Sequence, residues 1–313
     1  MISKKSLKQK RSIISNYEAD SDPDLNFFYK PHTITLLVLT LLLLLYIALF
    51  TNQASENTNN KWGLAGVSFV FIIIGIVVFK NGPFIRPHPA VWRAVLAMNV
   101  LYEMCLVYLM FQTKDSARLS MKFFDSALGV PLPEKSYAEN CGLTYENIKS
   151  GIDIFVLAHS LGWFGKALIL RDNTICWIIS ILFEFCEYSL QHQLPNFAEC
   201  WWDHWILDVF TCNWFGIYVG MKFCDYFKVK RAGAQFTPHS WTSFEWKPTK
   251  SFKHYFGFLF LLLTFILVEL NVFYLKYLLW VPPEHFLVIS RLALLFLFGL
   301  PTAREYYEFY SNP

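Results

Sequence analysis

Charge is scarce in this sequence. Only 16% of its 313 residues are Asp, Glu, Lys or Arg, against about a quarter in an ordinary soluble domain. A water-soluble globular chain is therefore excluded as the starting expectation. The 27 basic and 24 acidic residues leave a net charge of +3, and the basic ones form no stripe interleaved with aromatics, which excludes nucleic acid as a partner. The seven cysteines contain no CxxC pair, which removes the common zinc and dithiol arrangements. Internal repeats and low-complexity tracts are also missing.

What remains is apolar. Hydrophobic residues make up 55% of the chain and aromatics 19%, and the mean hydropathy is +0.34. These values describe an all-α, polytopic integral membrane protein. Eight runs approach the length of a bilayer-spanning helix, at roughly 33–51, 62–79, 91–112, 153–170, 173–192, 200–224, 255–275 and 284–302. The fourth to sixth are the least apolar because they carry His159, Lys166 and a set of acids, as expected of helices that face a polar interior. Pro282 and Pro283 break the chain between the last two runs, and Gly129–Pro133 marks a turn.

Orientation follows from the basic residues. Lys4, Lys5, Lys8, Lys10 and Arg11 precede the first run, and Lys228, Lys230, Arg231, Lys247, Lys250 and Lys253 follow the sixth. Both groups belong in the cytosol by the positive-inside rule. The first run, preceded by polar sequence, reads as an internal signal-anchor. The expected organisation is a cytosolic N-terminal segment at 1–32 and a single membrane domain at 33–313. Within that domain lie a lumenal loop at about 113–152 and a cytosolic linker at about 225–254. Cys141 in that loop and Cys200 at the lumenal start of the sixth run are the two cysteines placed to meet in an oxidising compartment.

The acids carry the functional expectation. Glu184, Glu187, Glu199, Asp203 and Asp208 lie in or beside two adjacent apolar segments. Ionisable groups are costly in hydrocarbon, so they need a cation, a proton or one another. In the topology above all five, and His159 from a third helix, fall in the lumenal half of the bilayer. Glu184 and Glu187 are spaced i, i+3, and Asn196, Glu199 and Asp203 are spaced i, i+3, i+7, so each set shares one helix face. Asp208 falls about 140° from Asp203 on an ideal α-helix, and joins the set only if the helix bends. Glu184, Glu187, Glu199 and Asp203 together offer hard oxygen ligands suited to calcium, with magnesium or manganese as alternatives.

Plainer readings exist for the same residues. Asn196 and Glu199 have the spacing of a capping box. Glu187 could pair with His192, and Asp203 with His204 at an interfacial rim. Trp201, Trp202 and Trp205 fit an aromatic belt.

Four segments carry a resemblance: Gly82–Pro89 (GPFIRPHP), Ala158–Trp163 (AHSLGW), Gln193–Asp208 (QLPNFAECWWDHWILD) and Gln235–Trp241 (QFTPHSW). They are similar to segments of the base-exchange phosphatidylserine synthases of animal endoplasmic reticulum. Phe244–Pro248 (FEWKP) and Pro282–His285 (PPEH) resemble the ethanolamine-lipid-using type more than the choline-lipid type. The resemblance implies a multi-pass protein of the endoplasmic reticulum membrane that exchanges the phosphatidylethanolamine headgroup for L-serine, with calcium as cofactor and no nucleotide. Phosphatidylethanolamine, L-serine and membrane lipids are then the partners, and a homo-oligomer is compatible with it. His159 would handle the serine proton or attack phosphorus, Asp208 would orient His159, and Asn196 and Asn213 would bind serine. Glu184, Glu187, Glu199 and Asp203 would be the metal ligands. The family has about ten spans, so the resemblance also implies a C-terminally shortened form.

Two other classes stand beside this one. A CDP-alcohol phosphotransferase requires an Asp-Gly signature, and the chain has no Asp-Gly pair. A non-enzymatic cation channel or transporter could also hold an intramembrane acidic cluster.

Overall fold

A computed structural model describes residues 31–50, 56–84, 86–132, 141–151, 154–194, 197–232 and 244–311. All regular structure among them is helical. The chain forms two compact units, Met1–Cys105 and Leu106–Pro313.

The first unit holds α1 (Pro31–Phe50), α2 (Glu56–Val78) and most of α3 (Pro89–Met110). α1 is apolar on every side and leaves Leu39, Leu41 and Leu42 exposed, a pattern suited to hydrocarbon rather than water. Pro89 opens α3, where its missing N–H is no loss, and the Nδ1 of His88 accepts the Ala90 N–H at 3.1 Å.

The second unit begins with α4 (Lys114–Met121), capped by Thr113, whose hydroxyl accepts the Ser116 N–H. The expected turn follows, with Gly129 at φ +76, a conformation glycine adopts at little cost. α5 (Tyr145–Gly151) leads to α6 (Ile154–Leu170) and, after a tight turn with Arg171 at φ 50, to α7 (Asn173–Leu190). Asp172 caps α7 by accepting the Ile175 N–H at 3.0 Å. A π-helix, Asp203–Asn213, runs directly into α8 (Trp214–Ala232). α9 (Phe252–Leu278) and α10 (Phe286–Ser311) are separated at Pro282–Pro283, as the sequence led one to expect.

α6 is the axis of this unit, touching α7, α8, α10 and the π-helix. Its closest neighbour is α8, which presents Gly216 and Gly220. A Cβ on Gly220 would stand 2.6 Å from the Ala167 Cβ and 3.0 Å from the Phe164 carbonyl oxygen. Small residues four apart allow such backbone approach between membrane helices. Trp163, Ala167, Leu170, Ile175, Ile179 and Ile217 fill the core around this contact. Cys141 and Cys200 form a disulfide, closing the chain over 59 residues and tying the segment before the π-helix to the segment before α5.

All eight expected runs lie on helices. Among the described residues, four helices are long and apolar enough to cross a membrane: Thr58–Val78, Pro89–Met110, Phe252–Leu278 and Phe286–Ser311. His32–Ile47 and Val156–Leu170 are shorter apolar helices. α7 and the π-helix carry Glu184, Glu187, Asp203 and Asp208, which lower their hydropathy. The structure thus supports a multi-pass helical membrane protein with four clear spans rather than the full count of eight.

Candidate active site

Three elements of the second unit bring the acids and His159 together. α7 presents Ser180, Glu184 and Glu187 on its buried face. The π-helix presents Asp203, His204, Asp208 and Asn213, and α6 presents His159.

The π-helix settles the place of Asp208. Hydrogen bonds from i to i+5 bring residues five apart onto neighbouring positions, and Asp203, Asp208 and Asn213 are spaced by five. The angle of about 140° that separates Asp203 from Asp208 on an α-helix does not apply. His159 accordingly bonds to one of the three and stands near a second. Its Nε2 lies 2.7 Å from the Asn213 Oδ1, and its Nδ1 lies 3.9 Å from the Asp208 Oδ1.

On the α7 side, the Nδ1 of His204 lies 3.1 Å from the Glu184 Oε2 and 3.6 Å from the Glu187 Oε2. His204 is buried between these carboxylates. His204 is thus held by acids of α7, where the plainer reading set it beside Asp203 at a rim. The Nδ2 of Asn213 donates to the Ser180 Oγ at 2.7 Å and points to the Glu184 Oε1 at 3.5 Å. One oxygen each from Glu184 and Asp208 and a ring nitrogen of His204 lie within 4.8 Å of one another. The charges of Asp208, His204, Asp203 and Glu184 act on Glu199, and those of Glu184, Glu187 and Asp203 act on Asp208. The five carboxylates form one electrostatic unit with His204 among them and His159 beside Asp208, and so many oxygen donors suit a cation of the hard, oxygen-binding kind.

The expected roles are redistributed by this geometry. Glu184 stands at the centre, and Glu187 meets it through His204. Glu199 and Asp203 are half-buried at the edge, with an Asp203 oxygen close to Gly151. Asp208, expected only to orient His159, belongs to the tightest donor set. Asn213, expected to bind serine, is fully enclosed, its amide engaged by His159, Ser180 and Glu184. Asn196 lies outside the described residues.

Sequence reasoning left out Ser180 and His204 as site residues, together with the Gly216/Gly220 contact that sets the π-helix against α6. Ser180 sits one turn before Glu184 on the same face, and the glycines carry the small-xxx-small spacing, so both signals were present. Beside the site, Lys166 of α6 is paired with Glu269 of α9, and its Nζ lies 3.7 Å from the Trp163 ring. The Phe244–Pro248 and Pro282–His285 segments are not part of the acidic unit. Phe244 stacks on Tyr307 at 4.3 Å, Trp246 packs on Tyr310 at 5.0 Å, and His285 meets Asp125 at 3.4 Å.

A helical membrane protein with an acid-rich, histidine-bearing centre built from three helices is the class these features define. The family profile described as Phosphatidyl serine synthase matches residues 87–313. The chain is 42% identical to phosphatidylserine synthase 2 of Danio rerio, covering 96% of this chain and 72% of that protein. It is 43% identical to phosphatidylserine synthase 2 of Homo sapiens, covering 95% of this chain and 66% of that protein. It is also 41% identical to CDP-diacylglycerol--serine O-phosphatidyltransferase 2 of Oryza sativa subsp. japonica, covering 93% of this chain and 76% of that protein. The chain thus spans about two thirds to three quarters of the length of these relatives. It belongs to the phosphatidylserine synthase family, a family of phosphatidyltransferase enzymes.

Proposed function

We propose that this chain catalyses calcium-dependent phospholipid base exchange, replacing the ethanolamine headgroup of phosphatidylethanolamine with L-serine. The observation that carries the reading is His159 of α6 set beside Glu184 and Glu187 of α7 and Asp203 and Asp208 of the π-helix, with Glu199 in the segment just before it. Family membership supports phosphatidyl transfer, and the placement of the site supports a cation-assisted route at a phosphodiester.

The reaction forms a bond from the serine hydroxyl oxygen to phosphorus and breaks the bond from phosphorus to the ethanolamine oxygen. His159 takes the serine hydroxyl proton and returns it to the departing ethanolamine oxygen. The phosphodiester is conserved in number, so no nucleotide is consumed. A phosphohistidine route uses the same residue as nucleophile. Glu184 and Asp208, with Glu187, Glu199 and Asp203 around them, are the groups that would hold calcium. When bound, calcium supplies neutralisation of the phosphate charge and of that developing at phosphorus. His204 holds Glu184 and Glu187 together, and its ring nitrogen is the one soft donor in the set.

The setting proposed is the endoplasmic reticulum membrane. The eight helical segments cross it, and both basic segments lie in the cytosol, so the acids open toward the calcium-rich lumen.

The name of the Oryza sativa relative favours a second reading, in which CDP-diacylglycerol is the phosphatidyl donor. The missing Asp-Gly pair stands against it. The test is purified protein in liposomes with radiolabelled serine and calcium. Incorporation into phosphatidylethanolamine liposomes without nucleotide, and poor incorporation with phosphatidylcholine, is expected. Incorporation only when CDP-diacylglycerol is added would replace base exchange with the second reading.

A further inference from the structure

His159 has two ring nitrogens with different surroundings, and only one can carry the proton of the neutral ring. Nε2 has two neighbours that make opposite demands. The Oδ1 of Asn213 at 2.7 Å needs a proton on Nε2. The indole N–H of Trp163 at 3.2 Å needs a bare lone pair there.

The outcome depends on which way the Asn213 amide faces. Its other end meets the Ser180 Oγ at 2.7 Å and the Glu184 Oε1 at 3.5 Å. A carboxylate oxygen without a proton only accepts, and the other Glu184 oxygen takes the His204 contact. Turning the amide would set two oxygens against each other at the Glu184 end. The NH2 group therefore faces Glu184 and Ser180, and the carbonyl oxygen faces His159. A bare Nε2 would then place two lone pairs 2.7 Å apart, within the range of a full N–H···O bond. Asn213 and Ser180 are fully enclosed, so the amide has no water to turn to, although the His159 ring itself is 28% exposed.

We infer that Asn213 is a positioning residue that keeps the proton of neutral His159 on Nε2, so that Nδ1, on the side of Asp208, is the nitrogen that reacts. Asp208 cannot take this role, because 3.9 Å is beyond hydrogen-bond reach. The arrangement also needs no rearrangement during turnover. A proton gained at Nδ1 comes to face Asp208, while the Nε2–H bond to Asn213 stays in place. Ser180 acts one step further out, holding the amide in place at 2.7 Å, while Glu184 sets which way it faces.

The lock rests on the base-exchange reading only for its kinetic consequence, and the two can be tested apart. The full chain, labelled with nitrogen-15 histidine, is measured by solid-state NMR in lipid bilayers, with the His159 signals identified by their loss in His159→Gln. The wild type is expected to show Nε2 protonated and Nδ1 bare in the neutral ring. Asn213→Leu is expected to move the proton toward Nδ1, because Trp163 then wins the contest for Nε2. In exchange assays the same variant is expected to lose at least about tenfold in kcat with serine KM within twofold, since a misplaced histidine proton costs a triad enzyme up to about 10⁴. Ser180→Ala, a smaller change, is expected to show a weaker loss in kcat, again with KM unchanged.

A wild-type ring protonated on Nδ1 would overturn the lock whatever the activity. A tenfold rise in serine KM with kcat intact in Asn213→Leu would also overturn it and make Asn213 a serine ligand. The expected NMR pattern in a protein that exchanges no headgroup would uphold the lock and remove the base-exchange reading instead.

Discussion

Gly220→Ala adds one methyl group at the contact between α8 and α6. That carbon would stand 2.6 Å from the Ala167 Cβ and 3.0 Å from the Phe164 carbonyl oxygen, whereas carbon atoms pack best at about 3.5–4.0 Å. Neither neighbour is the end of a flexible side chain, so the helices must separate by about 1 Å. Overpacking of this kind costs about 1–3 kcal/mol, more than the roughly 1 kcal/mol that alanine gains over glycine inside a helix. The strain also reaches the chemistry. α8 continues from the π-helix, and the 2.7 Å contact between Asn213 and His159 joins that helix to α6. A shift of 1 Å stretches it past hydrogen-bond length, and displacement on that scale costs about 10²-fold in rate. The assay is headgroup exchange in liposomes together with thermal unfolding in detergent. Gly162→Ala is the control, because a Cβ there meets nothing within 4 Å, and it should unfold at the same or a higher temperature. A Gly220→Ala protein with full activity and raised thermal stability would refute the claim that this contact sets the site.

Chelation should abolish serine incorporation, and Glu184→Gln should be more damaging than Asp203→Asn, because Glu184 is buried in the tight donor set and Asp203 is at its edge; equal exchange in excess chelator would remove the metal assignment. Replacing Cys141 and Cys200 together by serine should lower the unfolding temperature, with about 4 kcal/mol as the upper limit for a loop of this length, read by melting with and without reductant; an unchanged melting point would show that the disulfide does not hold the segment before the π-helix. Single cysteines introduced at Ser55, Ser136 and Thr249 of a cysteine-free variant should be labelled by an impermeant thiol reagent in sealed microsomes only at position 249. Labelling at 55 or 136 would place the mouth of the site in the cytosol.

Much of the helical plan was legible because long apolar runs and proline pairs are local signals. All eight runs coincide with helices, and the break at Pro282–Pro283 separates α9 from α10. The Glu184/Glu187 face and the Cys141–Cys200 pair were also readable, from helical spacing and from the two cysteines' expected compartment. The span count was harder, because acids that face inward lower the hydropathy of the helix that carries them. Asp208 stayed conditional on a bend for a different reason: helical reading assumes 3.6 residues per turn, and the segment holding it has i to i+5 bonding. The repeat of five through Asp203, Asp208 and Asn213 was present in the sequence, but that spacing means nothing until the backbone adopts the wider turn. His204 was assigned to a rim because its sequence neighbour is Asp203, whereas its partners lie on α7.

The pairing of Lys166 with Glu269 bears on how the chain is made. The two residues are separated by 103 positions. At about 5–20 residues per second, the ribosome delivers Glu269 roughly 5–20 s after Lys166. During that interval the lysine has no counter-ion from α9, and an unpaired lysine in an apolar helix disfavours burial in hydrocarbon. On the proposed multi-pass reading, α6 settles only when α9 arrives. Lys166→Met should relieve the delay, and Glu269→Gln should prolong it, so that insertion-arrested chains accumulate in the second variant and not in the first.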